Sequence, residues 1–362
     1  MFIHQMDVVT AFLNGTLDED IYMEQPEGYV VPGKENLVCH LKKSLYGLKQ
    51  SPRCWNKSFK EFMISQGFEQ SAADPCVFIR KVNDQLAIVA VHVDDLILLT
   101  ETEQEMIDLK ASLAARFKMK DMGKLHYCLG VNIKTMDGVL QMSQEQYIHK
   151  ILHKYKLQDC KPVSTPMDVN VKLVKHDGYS KAVDPVEYQS MGTVKLHLQY
   201  EASDKDMEGY SDADWAADSY DRRSTSGNVF VMSNGAISWA SQKQPTVALS
   251  TAEAEYIALC LATQESVWLR QLSKDLQINC SSPTTINEDN QGTIAMSKNP
   301  VVHKRRKHFD IKFHFVREKI QDRTIELKYC PTHEMVADIF TKPLPRGQFE
   351  NLRARLGLII IQ

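Results

Sequence analysis

The chain has 362 residues, 43% of them apolar and 25% charged, and a formal net charge of −3. This balance excludes collagen-like, coiled-coil and wholly disordered chains, and a rough domain size of about 150 residues suggests two or three domains. A near-neutral total means that any polyanion must be met by local basic patches.

The N-terminus has neither a basic leader nor a long apolar stretch. The longest apolar run, Leu86 to Leu99, is broken by His92, Asp94 and Asp95. It is shorter than the roughly 20 residues of a spanning helix, so a soluble protein with no membrane partner is expected. The eight cysteines include no C-x-x-C pair. Neither a zinc ribbon nor a disulfide framework is expected, and reduced thiols imply an intracellular setting, cytoplasmic (particle-associated) or nuclear.

In chain order, Gln5 to Phe12 reads as a strand leaving into a turn at Asn14-Gly15, and Leu37 to Leu41 as a second short strand. Ser51-Pro52 opens a helix with Trp55, Phe59, Phe62 and Met63 on one face. Val77 to Arg80 and Leu86 to Val91 read as strands joined at Asn83-Asp84, and Leu96 to Thr100 as the next strand. Helices are expected over Glu103–Phe117 and Gln144–Tyr155. Prolines 162, 166 and 185 and glycines 178 and 192 punctuate a weakly periodic stretch, residues 159–206, read as a linker. Strands over 208–213, 225–232 and 236–241 then precede a long helix from Ser250 to Leu276. A strand at 284–289, helices at 291–298 and 304–321, a strand at 324–330 and a C-terminal helix complete the order. That alternation predicts a mixed sheet flanked by helices.

Two constellations carry chemistry. The first is His92-Val-Asp94-Asp95, set in apolar flanks as the tip of a hairpin. Adjacent carboxylates repel unless a cation neutralises them, and a divalent ion with oxygen ligands is the usual solution. For an isolated Asp-Asp pair, plain turn chemistry is the commoner reading. Two further blocks change that weighting: Gln5-Met-Asp-Val-Val-Thr-Ala-Phe-Leu-Asn-Gly15 and Ser44-Leu-Tyr-Gly-Leu-Lys-Gln-Ser-Pro-Arg-Cys-Trp55. Together the three closely resemble the reverse transcriptase of Ty1/copia-type retrotransposons.

The resemblance implies that Asp7 and Asp94 bridge a pair of magnesium ions, with Asp95 assisting. Two such ions activate a primer hydroxyl and stabilise the leaving pyrophosphate. Phe12 is then the aromatic that favours deoxynucleotides. Gly47 and Gln50 lie in the block under the templating pair, and Lys49 and Arg53 are candidate phosphate contacts. His92 departs from the Tyr or Phe usual in the family. The fingers expected before Asp7 have no counterpart in this sequence, so weak nucleotide binding is expected.

The second constellation runs Gly209-Tyr-Ser-Asp-Ala-Asp-Trp215, Arg222-Arg-Ser-Thr-Ser-Gly227, Leu249 to Leu259, Asp289-Asn-Gln-Gly, and Thr332 to Lys342. It resembles the ribonuclease H domain of the same family. Hydrolysing RNA requires a water nucleophile and an alkoxide leaving group, and a pair of hard cations served by converging carboxylates handles both oxygens. The resemblance assigns Asp212, Glu255, Asp289 and Asp338 as those four acids, with Asp338 on the last helix, and His333 as a proton shuttle or aid to product release. Asp214 and Glu253 lie close enough in sequence to compete for the assignment. From Lys298 to Arg323 nine basic residues face three acids, densest at Lys304, Arg305, Arg306 and Lys307. Such a cluster can neutralise phosphates.

The resulting expectation is an α+β chain: a partial reverse-transcriptase palm/thumb (1–158), a shortened connection (159–206), a ribonuclease H-like mixed α/β domain (207–345) and a C-terminal tail (346–362). The join of the shortened connection falls near Met191 and Gly192. The implied cofactor is Mg2+, with Mn2+ possible, at two ions per active site. The implied partners are an RNA template, an RNA–DNA hybrid and deoxynucleoside triphosphates. The nuclease is the better candidate for activity, and an inactive remnant or a repurposed nucleic-acid-binding protein is the alternative.

Overall fold

The computed structural model describes residues 1–170, 194–218, 220–298 and 307–360, the side chains of 307–311 excepted. The join near Met191 and Gly192, and Lys304, Arg305 and Arg306, lie outside the described residues. Lys307 opens a helix, but its side chain is outside them as well. Two compact units form, Met1–Leu125 with Gln271–Ile278, and His126–Arg270 with Asn279–Gln362. The protein is mixed α+β, and no helix among the described residues is long and apolar enough to cross a membrane.

The first unit is built on β1 (Phe2–Val8), a small ribbon of β2 (Tyr22–Glu24) and β3 (Val38–His40), and β4 (Glu69–Gln70), β5 (Val77–Val82), β6 (Gln85–His92), β7 (Asp95–Thr100) and β8 (Met119–Lys124). The main sheet has the order β4-β5-β6-β7-β1-β8. Alternation works as expected of a half-buried sheet: Ala87, Val89, Val91, Leu96 and Leu98 all point into the core. Asn83 and Asp84 both take positive φ, 50° and 62°, the conformation that a tight hairpin twisted like its strands demands. Helix α1 (Ser51–Ser65) begins with Pro52 in its first turn and buries Trp55, Phe59 and Met63. Helix α2 (Glu103–Arg116) is capped by the Thr102 hydroxyl, which accepts from the Glu105 N–H at 3.3 Å.

The expected strand from Gln5 to Phe12 is corrected. It stops at Val8; Thr10 turns left-handed (φ 57°) and a 3-10 turn spans Ala11–Asn14. The reversal drops Ala11 into the core, and the Asn14 amide donates to the Thr10 and Ala11 carbonyls at 3.2 Å.

In the second unit, β9 (Tyr127–Cys128), β10 (Val131–Met136), β11 (Val139–Ser143), β12 (Leu196–Tyr200) and β18 (Leu358–Ile360) form a sheet of order β18-β12-β11-β10-β9. Helix α3 (Glu145–Lys154) lies in the same unit. Residues 127–154 were expected with the palm, Leu196–Tyr200 in a linker, and Leu358–Ile360 in a tail that also carries helix α7 (Arg346–Arg355). These strands are short and become strands by pairing with distant segments, which local periodicity does not report.

The other sheet has the order β15 (Gly235–Lys243), β14 (Thr225–Met232), β13 (Glu208–Ala213), β16 (Thr284–Glu288), β17 (Ile325–Tyr329). The first three strands pair antiparallel, and β13–β16 and β16–β17 pair parallel. Helices α4 (Thr251–Asp275), α5 (Gln291–Lys298) and α6 (Lys307–Gln321) follow in the chain. One core joins Phe230, Ile286 and Ile325 to Tyr256, Leu259 and Val316; another joins Tyr210 and Val229 to Met335, Val336 and Ala337. With both faces covered, β13 and β16 are buried along nearly their whole length.

Candidate functional site

Asp212 is the penultimate residue of β13, and Asp289 follows the last residue of its parallel neighbour β16. Parallel strands end at one edge of a sheet, so the two acids meet there. Glu255 arrives from the first turns of α4, where its Oε2 accepts from the Ala213 N–H at 2.8 Å. Each of Asp212, Glu255 and Asp289 offers a carboxylate oxygen within 4.8 Å of the other two. Asp338 is not on the last helix, as expected, but on a 3-10 turn (Val336–Phe340) preceding it. Val336 and Ala337 are drawn into the core under β13 and β14, and the tight turn leaves Asp338 buried beside them.

The neighbours of these acids are specific. The Thr341 hydroxyl donates to Asp212 Oδ2. Lys342 Nζ lies 3.4 Å from Asp212 Oδ1 and 2.8 Å from Asp338 Oδ1, pairing with both carboxylates. The Thr332 hydroxyl donates to Asp289 Oδ2 at 2.7 Å. Asp214 and Glu253 are otherwise engaged: Asp214 accepts from the Thr225 N–H at 2.6 Å, and Glu253 from the Leu249 N–H at 3.0 Å. His333 is exposed, with Glu334 Oε1 3.6 Å from its Nε2.

Burial, then the charges of Asp212 and Asp289, push the Glu255 carboxyl up to about 9. Burial, then Asp212, push Asp338 up to about 7. Burial opposes the charge of Lys342, yet Asp212, Asp338 and Asp289 hold it well above the ordinary lysine range. The folded, metal-free chain therefore keeps protons on Glu255 and Asp338 at pH values where the unfolded chain has lost them. Stability from these groups is full below the unfolded carboxyl range, and it is lost as pH rises through about 7 and then about 9. In a chelator, the melting transition of the second unit is expected to fall between pH 6 and pH 9 by on the order of 2 kcal/mol, roughly 4–8 °C. Saturating Mg2+ should flatten that slope, and a rise with pH would contradict the burial of these acids.

Sequence reasoning missed three participants. Glu288 is fully buried; its Oε1 accepts from the Asn290 N–H at 3.2 Å, and its Oε2 has no hydrogen-bond partner. Burial and the Glu255 charge raise its carboxyl well above the ordinary range. Its signal was the alternation Thr284, Ile286, Glu288 toward one buried face. Lys342 was visible only as the end of a motif. Gly227 pairs in register with Asp212, and a Cβ there would meet Thr341 Cγ2 at 2.7 Å and Phe340 Cβ at 2.9 Å. Gly227→Ala is expected to push away the segment that bears Asp338 and to cost about 1–3 kcal/mol, read as a lowered urea midpoint.

In the first unit, Asp7 and Asp95 are register partners on β1 and β7, and Asp94 sits in the β6–β7 turn. Val93 in that turn has φ 57°, a rare conformation for a β-branched residue. The turn is held by two bonds: Trp55 Nε1 donates to the Val93 carbonyl at 2.6 Å, and the Val8 N–H to the Asp94 carbonyl at 2.8 Å. Trp55 thus does more than fill the core, its only role legible in the helical pattern. As a trio, Asp7, Asp94 and Asp95 do not bring oxygens within 4.8 Å of one another, and Asp95 Oδ1 accepts from Gln5 Nε2 at 3.0 Å. Phe12 packs against Tyr46 with ring centroids 4.7 Å apart and planes tilted by 54°; Gly47, at φ 97°, has open space where a Cβ would be. Gln50 donates to Glu19 at 2.9 Å, and Lys49 and Arg53 are exposed.

The carboxylates suit a hard divalent cation, since the donors are all oxygen and three converge while partly buried. The family described as reverse transcriptase (RNA-dependent DNA polymerase) matches residues 1–169. The chain is 36% identical to the retrovirus-related Pol polyprotein from transposon TNT 1-94 of Nicotiana tabacum, across 98% of this chain and 31% of that one. It is 33% identical to the Pol polyprotein from transposon RE1 of Arabidopsis thaliana, across 98% of this chain and 27% of that one. It thus spans about a third or less of these curated relatives. Against the solved foamy viral protease-reverse transcriptase in complex with RNA/DNA hybrid, the TM-score is 0.44 at 12% identity, covering 91% of this chain and 44% of that one.

Proposed function

The chain belongs to the Ty1/copia-type retrotransposon Pol family, and from that membership we propose that its second unit hydrolyses the RNA strand of an RNA–DNA hybrid. The observation that carries this reading is the convergence of Asp212, Glu255 and Asp289, with Asp338 beside Lys342. These four acids would hold two divalent ions, Mg2+ or Mn2+, in the hybrid-bound state. Such ions lower the pKa of a water nucleophile and stabilise the leaving alkoxide.

The chain's own residues prepare that chemistry. The Ala213 N–H fixes the Glu255 carboxylate, and the Thr341 and Thr332 hydroxyls orient Asp212 and Asp289. Rigid ligands of this kind need little rearrangement when a cation and a phosphate arrive. His333, exposed at the rim, is free to carry a proton away from the leaving group. The cluster at Lys304, Arg305, Arg306 and Lys307 would neutralise hybrid phosphates, reading backbone rather than sequence.

The first unit is proposed to have the ancestral polymerase role, RNA-directed DNA synthesis with deoxynucleoside triphosphates. Asp7, Asp94 and Asp95 would be its acids, and Phe12, Gly47 and Gln50 its nucleotide contacts, with Lys49 and Arg53 against phosphate. The strained turn under Asp94, locked by Trp55, favours this reading, because strain of that kind persists where a site demands it. The nuclease is the better supported of the two, since three of its four acids converge.

The test is cleavage of a labelled RNA–DNA hybrid by the full chain with Mg2+ or Mn2+, beside a double-stranded RNA. Cutting confined to the RNA of the hybrid is expected. A folded chain that binds the hybrid and never cuts it would instead be a nucleic-acid-binding protein.

A further inference from the structure

The four acids of the second unit do not share their surroundings equally. Asp212, Glu255 and Asp289 converge on one another, whereas Asp338 lies outside that trio with its Oδ1 against the Lys342 ammonium. Lys342 lies four residues beyond Asp338, just past the 3-10 turn, and its Nζ sits between Asp338 Oδ1 at 2.8 Å and Asp212 Oδ1 at 3.4 Å. Asp212 is therefore divided: Thr341 takes Oδ2 and Lys342 approaches Oδ1. A second divalent ion bridging Asp212 and Asp338 would need the space that the ammonium fills.

We propose that Lys342 is a built-in placeholder cation, occupying the position between Asp212 and Asp338 so that the hybrid-free chain takes one divalent ion rather than two. The inference rests on the nuclease reading for its purpose, but not for its measurement. Asp212 and Asp338 are each 1% exposed, and when both are ionised a positive charge between them offsets their repulsion before any metal arrives. Lysine suits this position because it is a point charge on a flexible stem, and this side chain is one-third exposed, so it has a way out. A hybrid phosphate would draw the ammonium toward itself, opening the second position only when substrate is present. Premature loading of a second ion, with its own hydration shell, would then be avoided.

The test counts bound Mn2+ by the loss of its free-ion paramagnetic resonance signal. It uses the full chain carrying Asp7→Asn and Asp94→Asn, so that the palm acids do not contribute. One ion per chain is expected with Lys342 in place, and two in both Lys342→Met and Lys342→Gln, the second bound at least tenfold tighter than in the parent. Two chemically different replacements, each with a thermal melt, separate the effect from misfolding. Adding a hybrid with a non-cleavable RNA strand to the parent should raise its count to two, after the ions taken up by the same hybrid without protein are subtracted. Two ions in the parent without hybrid, one in both replacements, or none in any chain would overturn the proposal. A chain that gives the expected counts and cuts no hybrid would sink the nuclease reading alone.

Discussion

Asp212→Asn is expected to lower hydrolysis of the RNA strand of a hybrid by about a thousandfold or more, equivalent to about 4 kcal/mol of barrier. The reasoning starts from shape. Asparagine keeps the volume of aspartate, and its carbonyl oxygen can still accept from the Thr341 hydroxyl, so the turn bearing Asp338 stays in place. The negative charge is what disappears. Asp212 is the acid that both Glu255 and Asp338 feel, since each is pushed up by its charge after burial. Removing it takes away a shared cation ligand and also relieves repulsion in the metal-free chain. The variant is therefore expected to melt at the same temperature or higher in chelator, and to gain less than the parent when Mg2+ is added. Single-turnover cleavage with saturating enzyme, run beside those melts, checks both halves. Cleavage within tenfold of the parent in a folded variant would remove Asp212 from the site.

Phe59→Ala is expected to cost the first unit about 3–5 kcal/mol. Phe59 is fully buried on α1, with ring centroids 5.3 Å from Trp55, 5.4 Å from Phe78 and 5.9 Å from Phe117. It thus joins the helix to the sheet and to the C-terminal end of α2. An alanine would leave a cavity lined by three aromatic rings, two of which, Trp55 and Phe117, cannot collapse inward without breaking their edge-to-face packing. Trp55, whose indole holds the Val93 turn, would lose a direct neighbour. A urea titration followed by near-ultraviolet dichroism should show the first transition moving to lower denaturant, with the mixed-sheet unit unfolding as before. Phe59→Leu, which retains most of the volume, should cost less than half as much. Equal midpoints for the parent and Phe59→Ala would mean that this cluster does not stabilise the unit.

Local pattern carried much of the fold. Ser51-Pro52 placed the start of α1, the spacing of Trp55, Phe59 and Met63 placed its buried face, and Asn83-Asp84 placed the β5–β6 turn where positive φ is required. The long helix that presents Glu255 and the strands that present Asp212 and Asp289 were legible as well, the helix from its length and the two short, nearly fully buried strands from their place in the order of elements. The motifs identified the family through residue types and order.

Tertiary structure decided what depends on distant segments meeting. β12 and β18 are single strands of a sheet assembled from residues more than 150 positions apart, and nothing in Leu196–Tyr200 or Leu358–Ile360 names its partner. Asp338 belongs to a 3-10 turn because Val336 and Ala337 are pulled into a core made by β13 and β14, not because of its own neighbours in sequence. Gly227 is needed because Thr341 and Phe340 press on it across the sheet, and Lys342 matters because a fold places its ammonium between two buried carboxylates. By itself, the sequence determined which acids the chain possesses and which elements present them, because periodicity and chemical type are local properties. Only the tertiary structure decided which acids converge and which already has a cation beside it, because distance and burial arise when the chain closes on itself.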